Sequence, residues 1–205
     1  MTEPADYKVD VPEGTSGRWT VERFTVSKKE SDFDRMIAIV GSGRGRFVPP
    51  GSYTSLKRGD HMIMSDTPDE IRDHRGFIYS ATGRVLIAGL GLGVVLQAVA
   101  RKPEVTHVTV IEKSPDVIKL VEAHWRTKPW GKKFEVVEAD IFDWKLPRGV
   151  TYDHLWIDIW DDLCLDNLAE MGKLSRKFAR AIPNRSSWGH GFLKAEQRRS
   201  RGSYW

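Results

Sequence analysis

Cysteine is nearly absent: Cys164 is the only one in 205 residues. An internal disulfide is therefore impossible, a cysteine-built zinc site is excluded, and Cys164 reads as a small buried residue rather than a nucleophile. No other metal-ligand set is read in the chain. Long apolar runs are also lacking. No stretch approaches the roughly 20 residues needed to cross a bilayer, and the acidic, proline-containing start Met1 to Asp10 has no signal-peptide apolar core. The expectation is a cytoplasmic protein with no membrane partner. Internal repeats and low-complexity tracts are missing, which leaves solenoids without support. Charge of one sign does not dominate either, with 32 Lys and Arg against 28 Asp and Glu, a net charge of +4 and a pI near 9.2. The 40% hydrophobic content is ordinary for a soluble protein, and this length buries a substantial core in one compact unit.

The most informative stretch runs from Val85 to Gly93, where an apolar strand enters a glycine turn that opens into the helical pattern Val94 to Ala100. Glycines permit φ values closed to other residues and let bare backbone approach a ligand, while the next helix offers unpaired N–H groups at its positive end. Gly89, Gly91 and Gly93 form G-x-G-x-G, with Leu90 inside the turn. Val94 stands where the dinucleotide fingerprint wants a third glycine, which points away from NAD and toward another adenosyl ligand.

Beyond the turn the pattern is regular. His107 to Ile111 reads as a buried strand ending at Glu112, 19 residues after Gly93, where a carboxylate can hold ribose hydroxyls. Ser114-Pro115-Asp116 starts a helix, with serine as N-cap and proline at N1. Phe134 to Val137 reads as a third strand running into Asp140 and Ile141, an acid beside an apolar residue suited to an adenine amino group and ring. Leu155 to Ile157 is a fourth strand, ending in Asp158-Ile159-Trp160-Asp161-Asp162. Three successive strands thus end in an acid, and in an open parallel sheet those carboxyl ends are where ligands bind. Asp161 and Asp162 read equally well as ligands of a cationic acceptor and as caps of a helix starting near Leu163.

Over Gly83 to about Asp162 the chain resembles the class I S-adenosylmethionine (SAM)-dependent methyltransferase superfamily, and most of all its spermidine synthase, or aminopropyltransferase, branch. Val85-Leu86-Ile87-Ala88-Gly89 matches that branch's first strand, Asp158-Ile159-Trp160-Asp161 is similar to its D-x-x-D, and Asp69-Glu70 with His74 to its D-E-x-x-Y-H segment. The resemblance implies an α/β, Rossmann-like class I methyltransferase fold with a mainly parallel sheet, an N-terminal β-containing extension and a shortened C-terminal part. It implies SAM as cofactor, with decarboxylated SAM as the alternative. Gly89, Leu90, Gly91, Gly93, Glu112, Asp140 and Ile141 would bind that cofactor, Asp158 would face the reacting centre and Asp161 would hold an amine. The chain also departs from the branch: Leu92 replaces the aspartate that grips the amino end of the cofactor, and Asp73 stands in place of the tyrosine.

The flanks complete the reading. Residues 1–82 are expected to form an extension that lids the crevice, 83–182 the cofactor-binding core, and 183–205 a basic, aromatic tail. In the extension, Trp19 to Val26 alternates as a strand, Asp32 to Val40 is helical and Gly41 to Arg46 is a basic loop. Thr67, Pro68 and Glu70 read as a capping box. Tyr53, Asp66, Asp73 and His74 are the candidate substrate-binding residues, whereas His61 and His107 have no evident partner. Helix Leu165 to Ala181 carries a charged exposed face. In the tail, Lys194, Arg198, Arg199 and Arg201 near Trp188, Tyr204 and Trp205 admit nucleic acid as a partner, although a solvated basic tail is the blander reading. A homo-oligomer stays open.

The function so read is SAM-dependent methyl transfer to a small-molecule or amine acceptor. Asp158 serves as the proton-accepting carboxylate, since a sulfonium carbon needs little beyond a nucleophile held in line. The alternatives are aminopropyl transfer from decarboxylated SAM and a SAM-binding or SAM-consuming protein without an acceptor. A base-modifying DNA methyltransferase would carry a D/N/S-P-P-Y/W/F motif after the fourth strand, where this chain has Asp158-Ile159-Trp160-Asp161.

Overall fold

The computed structural model describes residues 7–40 and 47–202. The loop Gly41 to Arg46, Tyr204, Trp205 and the first six residues lie outside the described residues.

Two sheets organise the molecule. Gly14–Ser16 (β1), Trp19–Val26 (β2), Gly51–Arg58 (β3) and His61–Ser65 (β4) form an antiparallel sheet in chain order, with Lys28–Val40 (α1) between β2 and β3. After Pro68–Ser80 (α2), the strands Gly83–Ala88 (β5), Val105–Glu112 (β6), Phe134–Glu138 (β7), His154–Ile157 (β8) and Asn184–Ser187 (β9) form a sheet in the order β7-β6-β5-β8-β9, every pairing parallel. Val94–Ala100 (α3), Pro115–Arg126 (α4) and Asn167–Phe178 (α5) are the crossovers, and His190–Gly202 (α6) comes after the last strand. This is the doubly wound, Rossmann-like order, and it reverses at β5, between β6 and β8.

The pleat explains why β5 reads as a continuous apolar run. Val85 and Ile87 point into a core shared with Val95, Val99, Val121 and Trp125, while Leu86 and Ala88 point into a second core with Leu155, Ile157, Leu174 and Phe178. A strand covered on both faces has no polar positions to alternate with. Helix α4 behaves as its start signal requires: Ser114 Oγ accepts from Val117 N–H at 3.4 Å, and Val117 and Val121 are buried.

The structure differs from the sequence reading at several points. Thr67 is the N-cap of α2 but makes no capping bond through its side chain. Glu70 instead reaches Ser65, accepting its N–H at 2.6 Å and its hydroxyl at 2.8 Å. Helix α5 begins at Asn167 behind the N-cap Asp166, so Asp161 and Asp162 do not cap it. Cys164 is exposed, because the segment carrying it runs outside both sheets. Residues 183–205, read only as a tail, contain β9 and α6. Asn184-Arg185-Ser186-Ser187 has no apolar residue, so its pairing with β8 rests on backbone bonds that leave no periodicity in the sequence.

Candidate functional site

At the carboxyl ends of β5, β6, β7 and β8 lies a cavity of about 1080 Å³. Sites for small ligands commonly occupy roughly 300–1,000 Å³, so two reactants fit side by side. One wall is the turn Gly89-Leu90-Gly91, and the next walls are the segments leaving β6, β7 and β8. Trp19, Leu56, Arg58 and Met62 to Met64 of the antiparallel sheet close another side, and α2 contributes Glu70, Asp73 and His74.

The glycine turn is forced by packing inside the protein. Gly89 has φ +97°, and a Cβ there would come within 1.9 Å of the Asp158 carbonyl oxygen. At Gly93, with φ +79°, it would come within 2.2 Å of Trp125 Nε1. Gly93 is absent from the cavity lining. It turns the chain into α3 beneath the Trp125 indole, whose N–H donates to Leu92 O at 3.0 Å. Leu92 is completely buried, and its own N–H points at Met64 Sδ, 3.2 Å away, so no carboxylate occupies this part of the loop.

Glu112 links two turns. Its Oε2 accepts from Leu90 N–H and its Oε1 from Ser114 N–H, both at 2.8 Å, and each oxygen keeps a further lone pair for a ligand hydroxyl. Asp140 is exposed and accepts from Phe142 N–H at 2.8 Å, a local turn that sets Ile141 into the apolar wall, 4% exposed. Both line the cavity with Glu112.

Asp158 is the most perturbed acid. Its side chain retains 23% of its surface and lines the cavity, so it is enclosed by protein yet accessible to a ligand there. Burial, then the nearby charges of Glu70 and Asp73, push its pKa up to about 7. The Trp156 indole N–H, near it but outside hydrogen-bond geometry, pulls the other way. His74 Nδ1 lies 3.9 Å from Asp158 Oδ2, and the imidazole stands edge-on to Trp156 at 5.6 Å. Asp73 lines the same wall and accepts from Trp188 Nε1 at 3.3 Å.

Two expected substrate-binding residues lie elsewhere. Asp66 is 1% exposed and takes Val9 N–H at 3.0 Å and Thr54 N–H at 2.7 Å, fastening the N-terminal segment to β3. Burial raises its pKa against those bonds. The Tyr53 hydroxyl donates to Pro49 O at 2.8 Å, and its ring faces Phe24 and Lys8. Neither lines the cavity.

Several other contacts have no counterpart in the sequence reading. Arg58, at the end of β3, forms an ion pair with Asp161, and His61 Nε2 lies 3.4 Å from Asp162 Oδ2. His107 also faces a carboxylate, Glu135, at 3.4 Å. Each pair joins residues distant in the chain, so no local pattern announces it. The basic residues Lys194, Arg198, Arg199 and Arg201 are exposed on α6. Among the described residues no group of acids, histidines and cysteines is arranged to hold a metal ion, and no helix is long and apolar enough to cross a membrane.

No protein-family model matches the chain. Polyamine aminopropyltransferase 1 of Streptomyces coelicolor is 31% identical over 109 residues, 48% of this chain and 20% of that protein, so the chain spans about a fifth of the relative's length. Among solved structures, coclaurine N-methyltransferase bound to N-methylheliamine and S-adenosylhomocysteine is 23% identical, covering 57% of this chain and 34% of that one with a TM-score of 0.44. The CcbJ methyltransferase of Streptomyces caelestis is 20% identical, covering 52% and 46% with a TM-score of 0.40. A SAM-dependent methyltransferase of Leishmania major is 20% identical, covering 58% and 47% with a TM-score of 0.43.

Proposed function

We propose that the cavity binds SAM and that the chain transfers its methyl group to a small amine. The observation that carries this reading is the placement of Glu112, Asp140 and Asp158 around one cavity, Glu112 as the last residue of β6 and the other two just past β7 and β8, with the glycine turn between them. The residues fit such a ligand: Glu112 has lone pairs for ribose hydroxyls, Asp140 an acceptor for an adenine amino group, and Ile141 an apolar surface for the ring. SAM bound there supplies a methyl carbon on a sulfonium, open to in-line attack.

The acceptor class is argued from charge. Seven carboxylates line the cavity against Arg58 and Lys113, although the chain as a whole carries +4. A cation is drawn into such a site and a phosphate repelled from it, which favours an ammonium acceptor over nucleic acid. Asp158 takes the ammonium proton. With a pKa of about 7 it is a base matched to neutral pH, present in both forms there.

Aminopropyl transfer is the second reading, supported by the similarity to the Streptomyces aminopropyltransferase. Against it stands Leu92, buried where that chemistry wants a carboxylate. Calorimetric titration with SAM, decarboxylated SAM and methylthioadenosine separates the readings. Preference for SAM supports methyl transfer, preference for the decarboxylated form supports aminopropyl transfer, and no binding of any of them sinks both.

A further inference from the structure

The loop after β8 carries Asp158 and continues through Asp161 and Asp162 along the cavity. Among the described residues, the backbone from Ile159 to Leu163 makes no hydrogen bond to other backbone. A segment without such bonds takes its shape from its side chains. The Trp160 indole donates to Glu170 Oε2 at 2.7 Å. The other two tethers cross to the antiparallel sheet: Arg58 to Asp161, and His61 to Asp162.

Arg58 is itself held. It lies directly across from Trp19 in the β2–β3 pairing and from His61 in the β3–β4 pairing, and its guanidinium stands 5.5 Å from the centre of the Trp19 ring. A planar cation stacked on an aromatic ring loses little freedom on meeting a carboxylate. One strand end thus presents a pre-oriented cation to a loop whose backbone is bonded at Asp158, N–H to Ala88 O at 2.9 Å, but among the described residues at no point from Ile159 to Leu163.

We propose that Arg58 is a positioning residue. Through Asp161 it fixes the loop after β8 and with it the direction in which Asp158 faces the cavity, so Asp161 serves in this pair rather than holding the acceptor. The catalytic meaning of that positioning rests on the methyl-transfer reading, whereas the tether itself does not.

Hydrogen exchange on the 205-residue chain, followed by mass spectrometry, tests the tether without any acceptor. Arg58→Met and Asp161→Asn are each expected to quicken exchange in the 158–164 peptide about five-fold at its bonded amides, Asp158 N–H to Ala88 O and Cys164 N–H to Asn167 Oδ1, while β6 keeps its protection. Arg58→Lys should recover most of the protection, and the exchanged pair Arg58→Asp with Asp161→Arg part of it. Unchanged exchange at 158–164 in both single variants overturns the proposal. So does quickening that spreads equally to β6, or that Arg58→Lys fails to reverse. A wild-type chain that binds no SAM but shows the expected exchange pattern would remove the functional reading and leave the tether established.

Discussion

His74 Nδ1 and Asp158 Oδ2 stand 3.9 Å apart across the cavity wall, too far for a hydrogen bond. Asp158 faces Glu70 and Asp73 as well, and the balance of burial and like charge keeps its proton on to about pH 7. In the proposed reaction this carboxyl must be ionised to accept a proton.

The rate of methyl transfer to an amine should therefore climb about ten-fold per pH unit below 7 and level off above it. Asp158→Asn is expected to lower kcat by about 100-fold or more and to change SAM affinity little. A pH profile of kcat with parallel calorimetry checks both, and an unchanged rate in the Asn variant removes Asp158 from the chemistry.

The same group gives stability a pH dependence. Its folded-state pKa of about 7 exceeds the ordinary 3.8, so between those values the folded chain holds a proton that the unfolded chain has released. Stability declines as pH rises through that window, and the full cost is present above 7. Asp158→Asn should stabilise the protein by roughly 2–4 kcal/mol at pH 8 and by much less at pH 4, as read from urea unfolding at the two pH values.

Gly89→Ala meets both a steric and a conformational obstacle: φ +97° and a carbonyl oxygen 1.9 Å from the new carbon. Gly149, at φ +77° with nothing within 4 Å, isolates the conformational part. Gly149→Ala is expected to cost about 1 kcal/mol and Gly89→Ala about 3 kcal/mol or more. Equal midpoints in denaturant would contradict the contact with Asp158.

Asp66 separates stability from binding. Asp66→Ala strips acceptors from the buried N–H groups of Val9 and Thr54, at an expected cost of about 2–4 kcal/mol. SAM affinity should stay within about two-fold of wild type, because Asp66 lies outside the cavity. A large loss of affinity in a folded variant would return Asp66 to the substrate-binding set.

Sequence patterns revealed what local rules govern. An apolar run covered on both faces identified β5, the Ser114-Pro115 start identified α4, and acids after strands located Glu112, Asp140 and Asp158 at one cavity. The contacts they hid depend on partners far along the chain. Nothing near Asp66 announces Val9, 57 positions away, and nothing near Asp161 announces Arg58, 103 positions away. Strand β9 was illegible for another reason: a polar segment at the edge of a sheet is placed by its neighbour's backbone, which carries no side-chain code.

Gly89 and Gly93 sit against the Asp158 carbonyl and the Trp125 indole, contacts made by the protein alone. Selection for folding by itself would retain both glycines in a descendant that had lost every ligand, while the exposed Asp140 would drift. A saturation library sorted first for soluble expression and then for cofactor capture should therefore lose variants at Gly89 and Gly93 in the first sort and at Asp140 only in the second. The glycine signature then records the architecture of the turn, and the acids record its use.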